Sequence, residues 1–507
     1  MIHNITKAIF GLTITILLFF AIWNPIWSNG DEVHYLVVTG SLIKDKDFDL
    51  KNNYDNKDYF THHAKTEGMH AFKDKNNPEI LRPYHGVLLS VVLIPGFYAR
   101  DLLGSRVNML VYVLIGIYFL YLLLKEFGFT KNIRLLTLSL FLIQAPIIYH
   151  SSSIYPDILM GLTMVISAYF IIKGMKTKAN YWYLFAGLVS GVSIFFHYKI
   201  LALSVFLFFA TLLITFEGDA FRFVFDNPKS SYKLKFDTKN LKTTLDILLK
   251  NILRYKQDII NRSIFILGPI FIFTLLASWL SYVWFGYFRP DFLSPLLAGV
   301  PEIAGYANPF YNLTGMLFDS DQGLFFSGPI LALIIPGLFL WYKNNKLFFI
   351  ALALPSIAFL LTQALFRDWT AGWAPMARYT MTSLPLLVPA LAYIVVEAKK
   401  SISLKIIIAI LVIVNLIFLL ITFKYDYTGY PNGGINFFLQ KIFERLNLTN
   451  LSTQFSFNFL SPQTVADSNQ TKELVFTSLA YLGLIFYGLY LSYGNFLKSY
   501  FDRKKGI

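Results

Sequence analysis

The stretch Lys7-Ala-Ile-Phe-Gly-Leu-Thr-Ile-Thr-Ile-Leu-Leu-Phe-Phe-Ala-Ile-Trp-Asn-Pro-Ile-Trp27 is followed at once by Ser28-Asn29-Gly30-Asp31-Glu32. The first part is long and apolar enough to span a bilayer core of about 30 Å. It is too long, and too poor in a small-residue cleavage site, to be a removable signal peptide, so it is read as a retained span. Two acids therefore emerge at the membrane interface, where a membrane-bound substrate would present its head group. Asp31 and Glu32 are the first site hypothesis.

Outward from this stretch the chain stays apolar. Of its 507 residues 55% are hydrophobic and 15% charged, and the mean hydropathy is +0.53. A soluble domain with a polar surface does not tolerate such values. The expected fold class is an all-α polytopic membrane protein with about twelve spans, near 7–27, 106–124, 132–150, 154–173, 181–196, 200–216, 263–284, 324–342, 347–366, 379–396, 405–423 and 474–496. Aromatic residues, 18% of the chain, suit lipid-facing surfaces and interfacial belts, and could also line sugar or lipid grooves.

The net charge of +14 does not point to nucleic acid, because the basic residues fall in short clusters between apolar segments. They follow the positive-inside rule. The apolar run from His85 to Tyr98 decides the parity of every later loop. It is short for a span and interrupted by Pro95 and Gly96, so it is read as a helix along the outer membrane surface. Lys125, Lys131, Arg134, Lys173, Lys176, Lys178, Lys343, Lys346, Lys399, Lys400 and Arg503-Lys504-Lys505 then all lie inside. Both termini are expected to be cytoplasmic, in a cell membrane of the bacterial inner or plasma membrane kind.

Two expected domains result: a transmembrane catalytic unit over 1–423, with an outer loop at 28–105 and an inner loop at 217–262, and a unit at 424–507 made of an outer segment and the final span. The inner loop carries weak helical periodicity from Leu241 to Ile260 and reads as an amphipathic surface helix in contact with anionic lipid. Cysteine is absent, which excludes disulfides, thiolate metal sites and a Cys nucleophile. Asn447, Asn450 and Asn469 sit in glycosylation-type triplets, relevant only in a eukaryotic secretory pathway.

With this topology the unusual polar residues gather at the outer ends of the helices. They are Asp31, Glu32, His34, Arg82, His85, Asp157 in His150-Ser-Ser-Ser-Ile-Tyr155-Pro156-Asp157, Lys199, Asp319 to Gly323, and Arg367-Asp368-Trp369 through Arg378-Tyr379. Ionisable groups at membrane depth are costly and mark sites or pathways. Asp31, Glu32 and Asp157 could instead begin helices. Lys199 and Arg378 could snorkel, and Arg82 and His85 could anchor the surface helix at the head groups. His62, His63 and His70 lack metal-ligand spacing on a recognisable helix, and no metal is assigned to them.

These groups suit transfer of a group from an anionic lipid. A base near the membrane surface would deprotonate an acceptor hydroxyl. Lys and Arg would bind the lipid phosphate and stabilise its charge as it leaves. No nucleophilic side chain is required, since the protein supplies orientation and electrostatics.

The chain resembles the GT-C superfamily of membrane glycosyltransferases, including protein O-mannosyltransferases and the lipid A aminoarabinose transferases. The resemblance rests on the order of several features: the first span followed by Gly30-Asp31-Glu32, a large outer loop, Arg82-Pro83-Tyr84-His85-Gly86 before a surface helix, Tyr155-Pro156-Asp157, Lys199, Gln322-Gly323-Leu324 with Pro329, and Trp369 through Arg378-Tyr379 with Pro385. It implies an inverting glycosyltransferase that uses a polyprenyl-phosphate-linked sugar. Asp31 would be the base, Glu32 would orient it or the acceptor, and Asp157 would be a second acid facing the same cavity. Lys199, Arg378, Arg82 and His85 would be candidates for the donor phosphate. The acceptor would be a hydroxyl of a lipid, glycan or protein. A metal requirement stays open, since paired acids can hold Mg²⁺ or Mn²⁺ by oxygen ligands.

Where the protein mannosyltransferases show a His-Pro-Pro run this chain has Arg82-Pro83-Tyr84-His85. The oligosaccharyltransferase signature is missing and no large soluble sugar-binding domain follows the last span, so transfer of a preassembled oligosaccharide to Asn is not expected. The rival functions are a transporter or flippase for lipid-linked glycans, which would bind phosphate without chemistry, and a glycan polymerase or ligase with its site in a late outer loop. Transporters place charges near the midplane and often show repeated halves. Neither is evident here.

Overall fold

The computed structural model describes residues 2–23, 30–63, 66–216, 256–291, 309–319, 322–365, 375–424, 479 and 482–492. The expected outer segment after residue 424, its glycosylation-type triplets, the expected helix from Leu241 up to residue 255, Asp321 and Arg367-Asp368-Trp369 lie outside these described residues.

The described chain is helical. In order come α1 (Ile2–Trp23), α2 (Asp31–Lys44), α3 (Lys51–Asp55), α4 (Val87–Glu126), α5 (Lys131–Leu142), α6 (Ala145–Ser152), α7 (Pro156–Thr177), α8 (Asn180–Val192), α9 (Ile200–Phe216) and α10 (Lys256–Phe285). The remainder are α11 (Pro309–Phe318), α12 (Leu324–Ser327), α13 (Ile334–Asn344), α14 (Lys346–Ala364), α15 (Leu384–Ala398), α16 (Ile402–Lys424) and α17 (Leu482–Ser492). Among the described residues α1, α4, α7, α10, α14 and α16 are long and apolar enough to cross a membrane, and a seventh span results if α5 and α6, bent by 78°, are taken together. A helix apolar on all sides has no stable place on a water-facing surface. The spans differ in position: 67% of the apolar window of α7 is buried within the protein but only 22% of that of α16. Helix α7 is therefore central and α16 faces outward.

The break expected at Pro95 and Gly96 lies a few residues later. Helix α4 runs through both and turns at Arg100 and Asp101, the latter at φ 45°. Its two arms then fold beside each other. Asn108 Nδ2 donates to the Val92 carbonyl across the pair, and a Cβ on Gly96 or Gly104 would collide with the carbonyl oxygen of the other glycine. Only residues without a side chain let the arms approach so closely. Gly104→Ala is expected to cost at least the ~1–3 kcal/mol of an overpacked contact. An unchanged thermal midpoint of the detergent-purified variant would show that the arms are free to separate.

The segment between α1 and α4 folds into a small layer packed against the helices. Helix α2 is buried from Glu32 through Ser41. Leu36 and Tyr35 join the main core, while Val33, Val37 and Val38 pack on Leu50, Tyr54 and Tyr59. Its polar groups are satisfied locally: Thr39 Oγ1 donates to the Tyr35 carbonyl at 2.8 Å and Ser90 Oγ donates to the same carbonyl at 3.0 Å.

The one exception to the helical expectation among the described residues is a hairpin, β1 (Ala71–Lys73) against β2 (Leu81–Pro83), with Phe72 opposite Arg82. Its loop, Asp74-Lys-Asn-Asn-Pro-Glu, is turn chemistry. Asp74 Oδ1 accepts the Asn76 N–H at 2.9 Å and Asn77 Oδ1 the Glu79 N–H at 3.1 Å. The hairpin docks on the end of α10, where the Lys75 N–H donates to the Trp284 carbonyl at 2.8 Å.

Candidate active site

Gly30 is the N-cap of α2 and sits at φ 54°, a left-handed conformation that favours glycine. Asp31 and Glu32 thus occupy the first helical turn, and both side chains reach to other segments. Asp31 Oδ2 pairs with Arg378 Nη2 at 2.8 Å. Glu32 Oε1 accepts the backbone N–H of Ile154 at 2.6 Å, in the turn that leads into α7.

The cap of α7 is Tyr155, with Pro156 in its first turn. Asp157 follows, fully buried, and its two oxygens meet two cations: Arg378 Nε at 2.9 Å from Oδ2, and Lys199 Nζ on Oδ1. Lys199 comes from the short connection between α8 and α9. Arg378 opens a 3₁₀ turn, Arg378–Thr380, set by Ala377 at φ 60°. The turn is tied in place by the Ala377 N–H to the Gln322 carbonyl at 3.0 Å and by His150 Nε2 to the Met376 carbonyl at 3.0 Å.

Four segments far apart in sequence thus build one buried chain of alternating charge: Asp31, Arg378, Asp157 and Lys199. Two carboxylates and two cations balance. Flat rings flank both cations, Tyr155 at 4.6 Å from the Arg378 guanidinium and Tyr379 at 4.9 Å from Lys199 Nζ. Cations over aromatic faces gain further stabilisation when desolvated.

The second oxygen of Asp31 faces histidines. His70 Nδ1 and His85 Nε2 each lie 3.9 Å from Asp31 Oδ1 and 3.0 Å from each other. Burial alone would raise the Asp31 pKa, but the Arg378 guanidinium, then His85 and His70, outweigh it and hold the carboxyl well below the usual carboxylate range. Burial pushes His85 down to about 4 and His34 to about 2.

Not every expected residue joins this centre. Arg82 lies on β2, where Nε binds Asp74 Oδ2 at 2.9 Å and the guanidinium sits 5.6 Å from the Trp284 ring. These contacts belong to the dock between the hairpin and α10. His70 was given no role by the sequence, yet the hairpin sets it beside His85. The signal was present in Ala71-Phe-Lys and Leu81-Arg-Pro, two short β-prone runs around a turn-rich loop. Glu32 ties α2 to the start of α7. Glu32→Ala is expected to cost ~1–3 kcal/mol, since the buried Ile154 N–H loses its acceptor, whereas Glu32→Gln keeps most of it. Chemical denaturation of the two variants checks the difference.

No family model and no curated protein matches the chain. Solved structures similar to it include the oligosaccharyltransferase AglB of the archaeon Archaeoglobus fulgidus in complex with an inhibitory peptide and a dolichol-phosphate, at 13% identity and a TM-score of 0.45, covering 90% of this chain and 59% of that one. The apo form of the Archaeoglobus fulgidus oligosaccharyltransferase is similar at 14% identity and a TM-score of 0.43, over 91% and 61% of the two chains. A complex of that enzyme with Zn and sulfate is similar at 12% identity and a TM-score of 0.38, over 89% and 57%. The chain spans about three fifths of the length of these enzymes.

Proposed function

We propose that the chain is a multi-pass membrane glycosyltransferase of the GT-C kind, which moves a sugar from a polyprenyl-phosphate-linked donor to a hydroxyl of a lipid, glycan or protein acceptor. The observation that carries this is the buried run Asp31, Arg378, Asp157, Lys199. A carboxylate suited to act as general base and two cations that can bind a phosphate stand side by side at this site.

Arg378 and Lys199 hold the donor phosphate, and Asp157 fixes both cations from behind. The incoming phosphate competes with Asp31 for Arg378, so the carboxylate is released when the donor is in place. Asp31 then takes the acceptor hydroxyl proton as the acceptor oxygen bonds to the anomeric carbon. The bond from that carbon to the phosphate oxygen breaks on the opposite face, the electron pair leaves with the polyprenyl phosphate, and the configuration inverts. Arg378 and Lys199 stabilise the leaving charge.

In this proposal the chain crosses the membrane about twelve times, with both termini cytoplasmic and the site on the outer face of a cell membrane. Residues 1–423 form the catalytic unit. The test is transfer of radiolabelled sugar from a panel of polyprenyl-phosphate donors to total membrane acceptors by the purified protein. Transfer with at least one donor is expected. Absence of turnover with every donor, together with retained binding of the lipid phosphate, would replace the enzyme by a transporter of lipid-linked glycans.

A further inference from the structure

We propose that Asp31, His70 and His85 form a binding site for a divalent transition metal of the zinc type, these three being its protein ligands among the described residues. The three ligand atoms, Asp31 Oδ1, His70 Nδ1 and His85 Nε2, converge on one point. Their separations are 3.0, 3.9 and 3.9 Å. The nearest point equidistant from all three, which lies in their plane, is about 2.1 Å from each, within the ~2.0–2.2 Å of Zn–N and Zn–O bonds.

The donor set selects the ion. Two imidazole nitrogens and one carboxylate suit Zn²⁺ and its neighbours better than Mg²⁺, which takes oxygen ligands in octahedral geometry. The site is distinct from an ion held between the paired acids, because Arg378 lies between Asp31 and Asp157 and binds both. Three protein ligands is the number found at zinc sites that also hold an exogenous oxygen.

The groups behind the ligands hold them in place. The His70 ring stacks on His34 at 3.5 Å and lies 5.0 Å from the Tyr84 ring. His34 Nδ1 bonds the Tyr54 hydroxyl at 2.8 Å, and that hydroxyl accepts the His70 backbone N–H at 3.3 Å. On the other oxygen of Asp31, Arg378 fixes the carboxylate plane. Stacking and the bond to its backbone N–H thus hold His70, and Arg378 holds Asp31, as outer partners hold the ligands of metal centres. Side-chain exposures of 32% for His70, 20% for Asp31 and 13% for His85 leave a path for the ion.

A direct hydrogen bond between the two imidazoles would also satisfy their nitrogens, and zinc uptake separates the two. The full chain, purified in detergent, is stripped with chelator, dialysed against Zn²⁺, and assayed for retained metal. Its zinc-edge X-ray absorption is then recorded. About one zinc per chain with two imidazole scatterers is expected. His70→Ala and His85→Ala are each expected to weaken zinc by more than the about 10- to 100-fold that follows loss of an outer partner. Retention far below one zinc, a spectrum without imidazole, or equal retention by the double variant would overturn the site. The spectrum of the unmodified protein decides even where a variant misfolds. None of these readouts requires sugar transfer, so the metal site and the glycosyltransferase stand or fall separately.

Discussion

Asp31→Asn is expected to lower sugar transfer by about 10²- to 10⁴-fold, the range contributed by a positioned general base, with the fold intact. The substitution keeps the shape of the side chain, and the Asn carbonyl oxygen can still accept from Arg378. Asp31 is also the less buried acid, with a side chain 20% exposed against 0% for Asp157, so removing its charge leaves the remaining partners within reach of water. Asp157→Asn should behave differently. It would leave Lys199 and Arg378 as neighbouring buried cations, and breaking such a pairing costs ~3–5 kcal/mol. Turnover assays paired with denaturation curves for both variants separate the roles. Undiminished transfer by Asp31→Asn would keep the enzyme and remove its base.

Arg378→Gln should destabilise the protein by about 3–5 kcal/mol, the cost of breaking a buried pairing, since Asp31 loses its guanidinium and Asp157 keeps only Lys199, and abolish binding of the lipid phosphate. Arg378 bridges Asp31 and Asp157 with different nitrogens. A guanidinium offers such a fork and an ammonium does not. Arg378→Lys should therefore recover part of the stability but little of the donor affinity, because a single point charge cannot meet both carboxylates. The thermal midpoint and lipid-phosphate binding of the two variants form the check. Wild-type stability in Arg378→Gln would mean that Lys199 alone balances Asp157 and that water suffices for Asp31.

The membrane-type helices were legible because a lipid solvent imposes a one-dimensional rule. A segment of about 20 apolar residues can satisfy its backbone only within itself, so hydropathy along the chain marks it directly. The polar set at the helix ends was legible for a related reason. Carboxylates and cations beside apolar spans are expensive, and Asp31, Asp157, Lys199 and Arg378 stood out without knowledge of their neighbours. The exact break in α4 did not stand out. Proline and glycine at 95 and 96 are the local punctuation, but the helix accepts them and turns at Arg100 and Asp101, where packing of Gly96 on Gly104 requires it.

The sequence by itself determined that this is a helical protein with helices long and apolar enough to cross a membrane, that two acids follow the first of them, and which ionisable residues carry a cost that function must justify. Only the tertiary structure decided how those residues are paired. Arg378 lies 221 residues from Asp157 and meets it at 2.9 Å, while Arg82, equally prominent in the sequence, turns to Asp74 and Trp284. His70 and His85, separated by 15 positions, meet at 3.0 Å because a hairpin lies between them. The physical reason is range. Hydropathy and helix signals are local sums over neighbouring residues, whereas an ion pair or a metal ligand set depends on which segments the packing brings within a few ångströms.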